Sequence, residues 1–168
     1  DAVDGAYLSG AAMVTTTEDA VRVVASVADP ELPFVTIEDL GILRRVDVDD
    51  TGAVIVTVTP TYSGCPATEV IRDSILDALR SAGYHQAEVR TVFSPPWSTD
   101  DITSEGRRKL EAHGIAPPRR LLAADGPILC PRCRGASARV VSEFGSTACK
   151  ALRVCDSCGE PFDHFKEL

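Results

Sequence analysis

Aromatic side chains are scarce in this 168-residue chain: five Phe, three Tyr and one Trp, 5% in all, beside a single Met. A core must therefore come mostly from Val, Ile, Leu and Ala. Long apolar runs are also missing, and no stretch approaches the roughly 20 residues that a membrane-crossing helix needs. The first residues, Asp1-Ala-Val-Asp4, carry no basic cluster, so no secretory signal is expected. Positive charge is in short supply. The net charge is −8; residues 1–125 hold 20 Asp and Glu against 11 Lys and Arg, while residues 126–168 hold 5 against 6. An acidic body repels phosphate backbones, which argues against general nucleic-acid binding. Catalytic signatures are missing too. No G-x-x-x-x-G-K-[ST], G-x-S-x-G or H-E-x-x-H occurs, and no G-x-G-x-x-G follows a predicted strand. A di-iron Glu-x-x-His pattern is also absent. Neither a conventional enzyme nor an iron-bearing oxygenase component is expected.

What is present is led by four cysteines. Cys130-Pro-Arg-Cys133 and Cys155-Asp-Ser-Cys158 are two Cys-x2-Cys pairs separated by 21 residues. Each tight turn lets two sulfurs converge on one ion, and two turns supply the closed tetrahedral set of a structural zinc. Rubredoxin-like iron and two disulfides are the competing readings. The last segment, about 40 residues, is too short to hold a core unaided, so the metal is expected to organise it. Metal-type cysteine spacing also points to a reducing cytoplasm.

Along the chain, residues 1–15 lack periodicity and read as a disordered tail. Thr16 and Thr17 can cap a helix running to about Ala28, which Asp29-Pro30 ends. Thr36 can cap a single turn through Leu40, closed by Gly41. Ile42 to Val48, the turn Asp49-Asp50-Thr51-Gly52, and Ala53 to Thr59 read as a hairpin, with Val54, Val56 and Val58 sharing one face. A helix follows from about Pro66 to Ala82, with Val70, Ile71, Ile75, Leu76 and Leu79 grouped on one face. Ala87 to Phe93 reads as a third strand, and Ser98 can cap a last helix to about His113. The expected architecture is α+β. A small α-β-β-α-β-α domain with a mixed three-stranded sheet occupies 16–118. A linker at 119–126 leads to a zinc ribbon at 127–168.

Among residues that could carry chemistry, Cys65 is the sharpest. It sits between a predicted strand and Pro66, at or near a helix N-terminus, where free N–H groups and the dipole stabilise a thiolate. A small buried cysteine at a turn is the plainer reading. Asp29, Glu31 and Asp39 can ligate a cation or orient a thiol, or else be caps and solvated charges. Thr59, Thr61 and Tyr62 flank Cys65 with hydroxyls that can serve a thiolate or merely end a strand. Trp97, after Pro95-Pro96, is either a core plug or a binding anchor. Cys149 stands outside the zinc set, as a buried thiol, a disulfide partner or a second ligand, and Lys150 beside it favours the thiolate. His164 can substitute as a ribbon ligand.

Three motifs carry a family resemblance: Asp29-Pro-Glu-Leu-Pro with Ile37-Glu-Asp-Leu-Gly-Ile42, then Thr57-Val-Thr-Pro-Thr-Tyr-Ser-Gly-Cys65-Pro66, then Ser94-Pro-Pro-Trp-Ser-Thr-Asp100. They resemble the small iron–sulfur assembly domain that includes SufT. With Phe144-Gly-Ser-Thr-Ala-Cys-Lys150 and Glu160-Pro-Phe162 behind them, residues 17–168 resemble the PaaD family of accessory subunits of the bacterial phenylacetyl-CoA epoxidase system. The resemblance implies help in maturing a monooxygenase rather than oxygenation itself. The implied client is the iron–sulfur/flavin reductase or the di-iron oxygenase subunit. It implies Cys65 as ligand of a transient iron–sulfur cluster or iron, in a pocket shaped by Asp29, Glu31 and Asp39. One such cysteine cannot close a cluster, so a homodimer, Cys149 or a client thiol is expected to complete it.

Overall fold

Residues 16–62, 64, 66–119 and 126–167 are described by a computed structural model. The expected tail at 1–15 and most of the expected linker lie outside these residues.

Helix α1, Thr17–Ala25, starts on a capping box. Thr16 Oγ1 accepts from the Asp19 N–H at 3.1 Å, and the Asp19 carboxylate accepts from the Thr16 N–H at 3.3 Å. The helix ends at Ala25, short of Ala28, with Ser26 as its C-cap; Pro30 restricts only Asp29 to extended backbone. Ala28 instead bridges Thr36, and the Asp29 N–H donates to the Val35 carbonyl at 2.9 Å. Strands β1 (Leu43–Val48) and β2 (Val54–Val58) form the antiparallel hairpin, with Gly52 at φ +82° in its turn. Val54, Val56 and Val58 are buried, as their alternation predicts.

Helix α2, Ala67–Ser81, carries the chain back so that β3 (Ala87–Thr91) pairs parallel with β2. The sheet order is β1-β2-β3. Ile71, Ile75 and Leu79 recur every fourth residue and are buried against it, whereas Val70, grouped with them from sequence, is half exposed. One residue on a helix is about 100° of rotation, enough to carry Val70 off the buried stripe. The helix expected over 98–113 is two pieces. Ser98 caps only a 3-10 turn, Thr99–Asp101, and Thr103 then caps α3, Ser104–Ala112. Gly106 lets α3 approach closely, since a Cβ there would stand 2.4 Å from the Asp39 carbonyl oxygen.

Strand β4 (Ile115–Ala116) leaves this body and pairs parallel with β7 (Pro161–Phe165). The second sheet runs β4-β7-β6-β5, where β5 is Ala138–Ser142 and β6 is Lys150–Cys155. Phe165, 1% exposed, joins the body's core and meets Trp97 at 6.1 Å between rings. Trp97 is buried and donates from Nε1 to the Leu40 carbonyl at 2.8 Å, so of its two readings the core plug holds. Among the described residues, no helix is long and apolar enough to cross a membrane.

Candidate metal centre and inter-sheet cleft

The ribbon is built on two matching knuckles. The Arg134 N–H donates to Cys130 O, and the Cys130 N–H to Gly135 O, each at 2.9 Å. The Gly159 N–H donates to Cys155 O, and the Cys155 N–H to Glu160 O, again at 2.9 Å. The residue after each second cysteine is left-handed: Arg134 at φ 63° and Gly159 at φ 73°. The four sulfurs lie within 4.8 Å of one another, with Cys130 to Cys158 at 3.9 Å and Cys133 to Cys155 at 3.6 Å. A tetrahedron with Zn–S of about 2.3 Å requires S···S of about 3.8 Å, whereas a disulfide requires about 2.05 Å. The set fits zinc and is not a pair of disulfides. His164 takes no part in it.

Electrostatics make the same point. The Cys158 N–H, with that of Ser157, stabilises the Cys155 thiolate and brings its pKa to about 6. Cys133 receives the Gly135 N–H, yet the neighbouring Cys158 and Cys155 sulfurs drive it up to about 12. Thiolates this close repel, so all four ionise together only around a cation.

The second feature is a cleft between body and ribbon. Its walls include the loop with Asp29 and Glu31, Leu40 and Ile42 before β1, the β2–α2 connection with Tyr62 and the start of α2 at Ala67, and the ribbon's Ala148, Cys149 and Phe165. Its space among the described residues is about 30 Å³, on a scale where one water needs about 10–15 Å³, so it has room for an ion with a water. Cys65 itself lies outside the described residues, although its chain neighbours Tyr62 and Ala67 wall the cleft.

Asp29 is buried, and its Oδ1 accepts from the Glu31 and Leu32 N–H groups at 2.9 and 2.8 Å. Burial nevertheless raises its pKa, outweighing those bonds and the Lys150 charge. Cys149 Sγ meets Thr147 Oγ1 at 3.0 Å. Its pKa is also raised by burial, so Lys150 does not leave it a thiolate as its sequence position suggested. Glu31 adds to this rise by repelling the thiolate.

Asp39, taken with Asp29 and Glu31 from the resemblance, does not wall the cleft. Its Oδ2 accepts from the Thr36 N–H at 2.9 Å and from Lys109 Nζ at 2.6 Å, and it fastens α3 to the body. Although burial is the largest single influence, Lys109 and Thr36 together hold its carboxyl below the usual range. Thr59 is buried with no partner for its hydroxyl among the described residues, and it does not wall the cleft, though Val58 and Pro60 beside it do. Phe165 was missed as a site residue, and the buried Lys150, read only as an aid to the Cys149 thiolate, also acts on the Asp29 carboxylate. The apolar positions of Pro161-Phe162-Asp163-His164-Phe165 were the available signal, but they do not say which side faces the body.

Comparison with known proteins bears on both features. Residues 17–91 match the family profile described as iron–sulfur cluster assembly protein, and residues 115–166 match the PaaD zinc beta ribbon domain. A putative 1,2-phenylacetyl-CoA epoxidase subunit of Escherichia coli K12 is 46% identical over 146 residues, covering 85% of this chain and 88% of the relative. The chain belongs to the PaaD family of phenylacetyl-CoA epoxidase subunits. The Fe-S protein maturation auxiliary factor SufT of Staphylococcus aureus is 41% identical over 75 residues, 44% of this chain and 84% of its own. A crystal structure of a DUF59 domain from Bacillus anthracis superposes with a TM-score of 0.53 at 28% identity, covering 56% of this chain and 90% of that one. In this member of the PaaD family, the cleft takes walls from both matched segments. Asp29, Glu31 and Tyr62 lie within 17–91, and Cys149 and Phe165 within 115–166.

Proposed function

We propose that this chain is an accessory factor of phenylacetyl-CoA epoxidase in phenylacetate catabolism. On this reading it helps load iron or an iron–sulfur cluster into a client subunit in the cytoplasm and does not oxygenate substrate itself. The observation that carries the reading is the cleft, where the assembly-type loop of Asp29 and Glu31 faces a ribbon thiol, Cys149. The ribbon's four cysteines hold a structural zinc, and the cleft serves the cargo.

Cys65 is the principal cargo ligand, and Cys149 is the second. Thiolate sulfur suits iron, alone or within an iron–sulfur cluster, while the harder carboxylates suit the free ion. Asp29 and Cys149 are both buried groups whose charged forms are disfavoured, so a positive cargo is what draws out their protons. A site with few protein ligands holds its cargo weakly, which delivery requires. A second copy of the chain or a thiol of the client completes the coordination. The client is the reductase or the di-iron oxygenase subunit.

The test is client maturation. Iron-free client subunits are incubated anaerobically with iron, sulfide and this protein, as wild type or as Cys65→Ala. The variant should keep its fold and zinc while the client gains iron several-fold more slowly. Equal loading by both proteins sinks the role of Cys65. Stoichiometric retention in active epoxidase, with no effect on loading, makes the chain a scaffolding subunit instead.

A further inference from the structure

The ribbon has an open edge. Strand β5 ends the sheet order and pairs only with β6, so among the described residues its other edge bonds to nothing. Three of the six exposed large apolar side chains of the described residues gather on this short stretch: Val140 at 43%, Val141 at 54% and Phe144 at 70%. The remaining three, Val21, Val70 and Phe93, are scattered over other elements.

Phe144 is held out rather than loose. Lys166 Nζ donates to the Glu143 carbonyl at 3.2 Å and sits 5.0 Å over the Phe144 ring. The Gly145 N–H donates to Lys150 O at 2.7 Å, and Ser146 Oγ to Asp163 Oδ2 at 2.7 Å. A Cβ at Gly145 would stand 2.4 Å from Asp163 Oδ1 and would have to displace that carboxylate. A fixed, exposed aromatic ring loses little freedom on binding, which is the property of an interface anchor.

Charge names the kind of partner. Arg153 lies opposite Val140 across β5 and β6 and bonds only to His164 Nδ1, at 3.3 Å. Lys166 lies over Phe144. Neither cation has a carboxylate within ion-pair distance among the described residues, whereas Arg139 on β5 is paired with Asp156. The patch thus offers an open strand edge, three apolar side chains and two cations without an ion pair, Arg153 and Lys166, against one exposed carboxylate, Glu143, which leaves it net positive. Its loop runs from Phe144 directly to Cys149 in the cleft.

We propose that the β5 edge and Phe144 dock an extended, apolar and acidic segment of a partner subunit, which adds a strand to the ribbon and brings its metal-accepting site over the cleft. This rests on the accessory reading above only in its last clause.

The experiment measures binding of the full-length, zinc-loaded chain to the purified reductase and oxygenase subunits of the same epoxidase. Wild type is compared with Phe144→Asp, Val141→Lys and a control, Val70→Asp. All three positions are exposed, so the fold should persist, as circular dichroism and zinc content will show. Docking at β5 predicts that one subunit binds wild type and the control equally. The two β5 variants should bind at least about tenfold more weakly. Binding should also weaken with salt, and amides of residues 138–144 should gain exchange protection in the complex. Equal binding by all four proteins, protection elsewhere, or no binding to either subunit overturns the proposal. So does a wild-type homodimer that Phe144→Asp dissolves, which makes a second copy the occupant. If Phe144→Asp loads the client as well as wild type does, the last clause of the proposal falls and the accessory role stands. Failure of wild type to load the client, with docking intact, does the reverse.

Discussion

The body wraps α1, α2 and α3 with the first sheet around a continuous aliphatic core, from Ala20 through Ile37 and Ile75 to Leu110. The ribbon's own core is Ala116, Cys130, Cys155 and Phe162, and two of those four are members of the zinc set. One region stands on apolar burial and the other on a four-cysteine cluster of zinc-ribbon type. They meet through Phe165, which belongs to the ribbon by sequence and to the body by packing. The ribbon is therefore a packed wall at one end and a metal knuckle at the other, and only the wall end reaches the cleft.

The sharpest way to break this contrast is to remove the zinc. Structural zinc contributes about 10–16 kcal/mol to small fingers, so Cys155→Ser or strong chelation should unfold the knuckles and β5. The amides of α2 should stay protected from exchange. A ribbon still protected without metal, or a body lost along with it, contradicts the division. Phe165→Ala comes next and should cost the body about 3–5 kcal/mol. Urea unfolding followed by Trp97 fluorescence should show this loss, while Phe162→Ala in zinc-loaded protein shifts the body's transition far less. Equal shifts would assign Phe165 to the ribbon core.

Two buried carboxylates sharpen the comparison further. Asp39 has a lowered pKa, so its contribution is present above the ordinary carboxylate range and is lost as pH falls through its lower folded value. Asp39→Asn should cost about 1–3 kcal/mol at pH 7, and the gap should close below about pH 4. Asp29 has a raised pKa, so its contribution is greatest at low pH and is lost as pH rises from the ordinary carboxylate range through its higher folded value. Asp29→Asn at pH 7 should therefore be neutral or stabilising in thermal unfolding. A carboxylate kept at such a cost fits a working site rather than a structural one. A clear destabilisation by Asp29→Asn at pH 7 would make it another cap.

The smallest effect concerns the knuckles. Arg134 holds a left-handed conformation that Gly159 holds freely. Relieving it should gain about 1 kcal/mol, against roughly 0–1 kcal/mol for the exposed ion pair with Glu111. Arg134→Gly should thus melt at or slightly above wild type with zinc bound. A fall of several degrees would show that Arg134 fastens the knuckle to α3.

Where local chemistry decided, the sequence was legible. The capping threonines, the hairpin with Gly52 and the spacing of the four cysteines all foretold what formed. Where two local signals competed, it was not. Ser98 and Thr103 are both good caps, and only packing against Asp39 selects the second for α3. Long-range pairing was invisible too. Nothing in Ile115-Ala116 says that it will pair with residues 163–164, and nothing in Cys149 says that its loop faces Asp29. The cleft's components were named from their chemistry and their resemblance, but their meeting depends on the ribbon folding back onto the body.

The most direct measurement is zinc, iron and sulfide per chain after anaerobic reconstitution of wild type, Cys65→Ala and Cys149→Ala. A cleft built for cargo predicts equal zinc in all three, iron and sulfide bound by wild type, little of either in Cys65→Ala and a weaker share in Cys149→Ala. Zinc in all three with iron and sulfide bound equally, or bound by none, would contradict it.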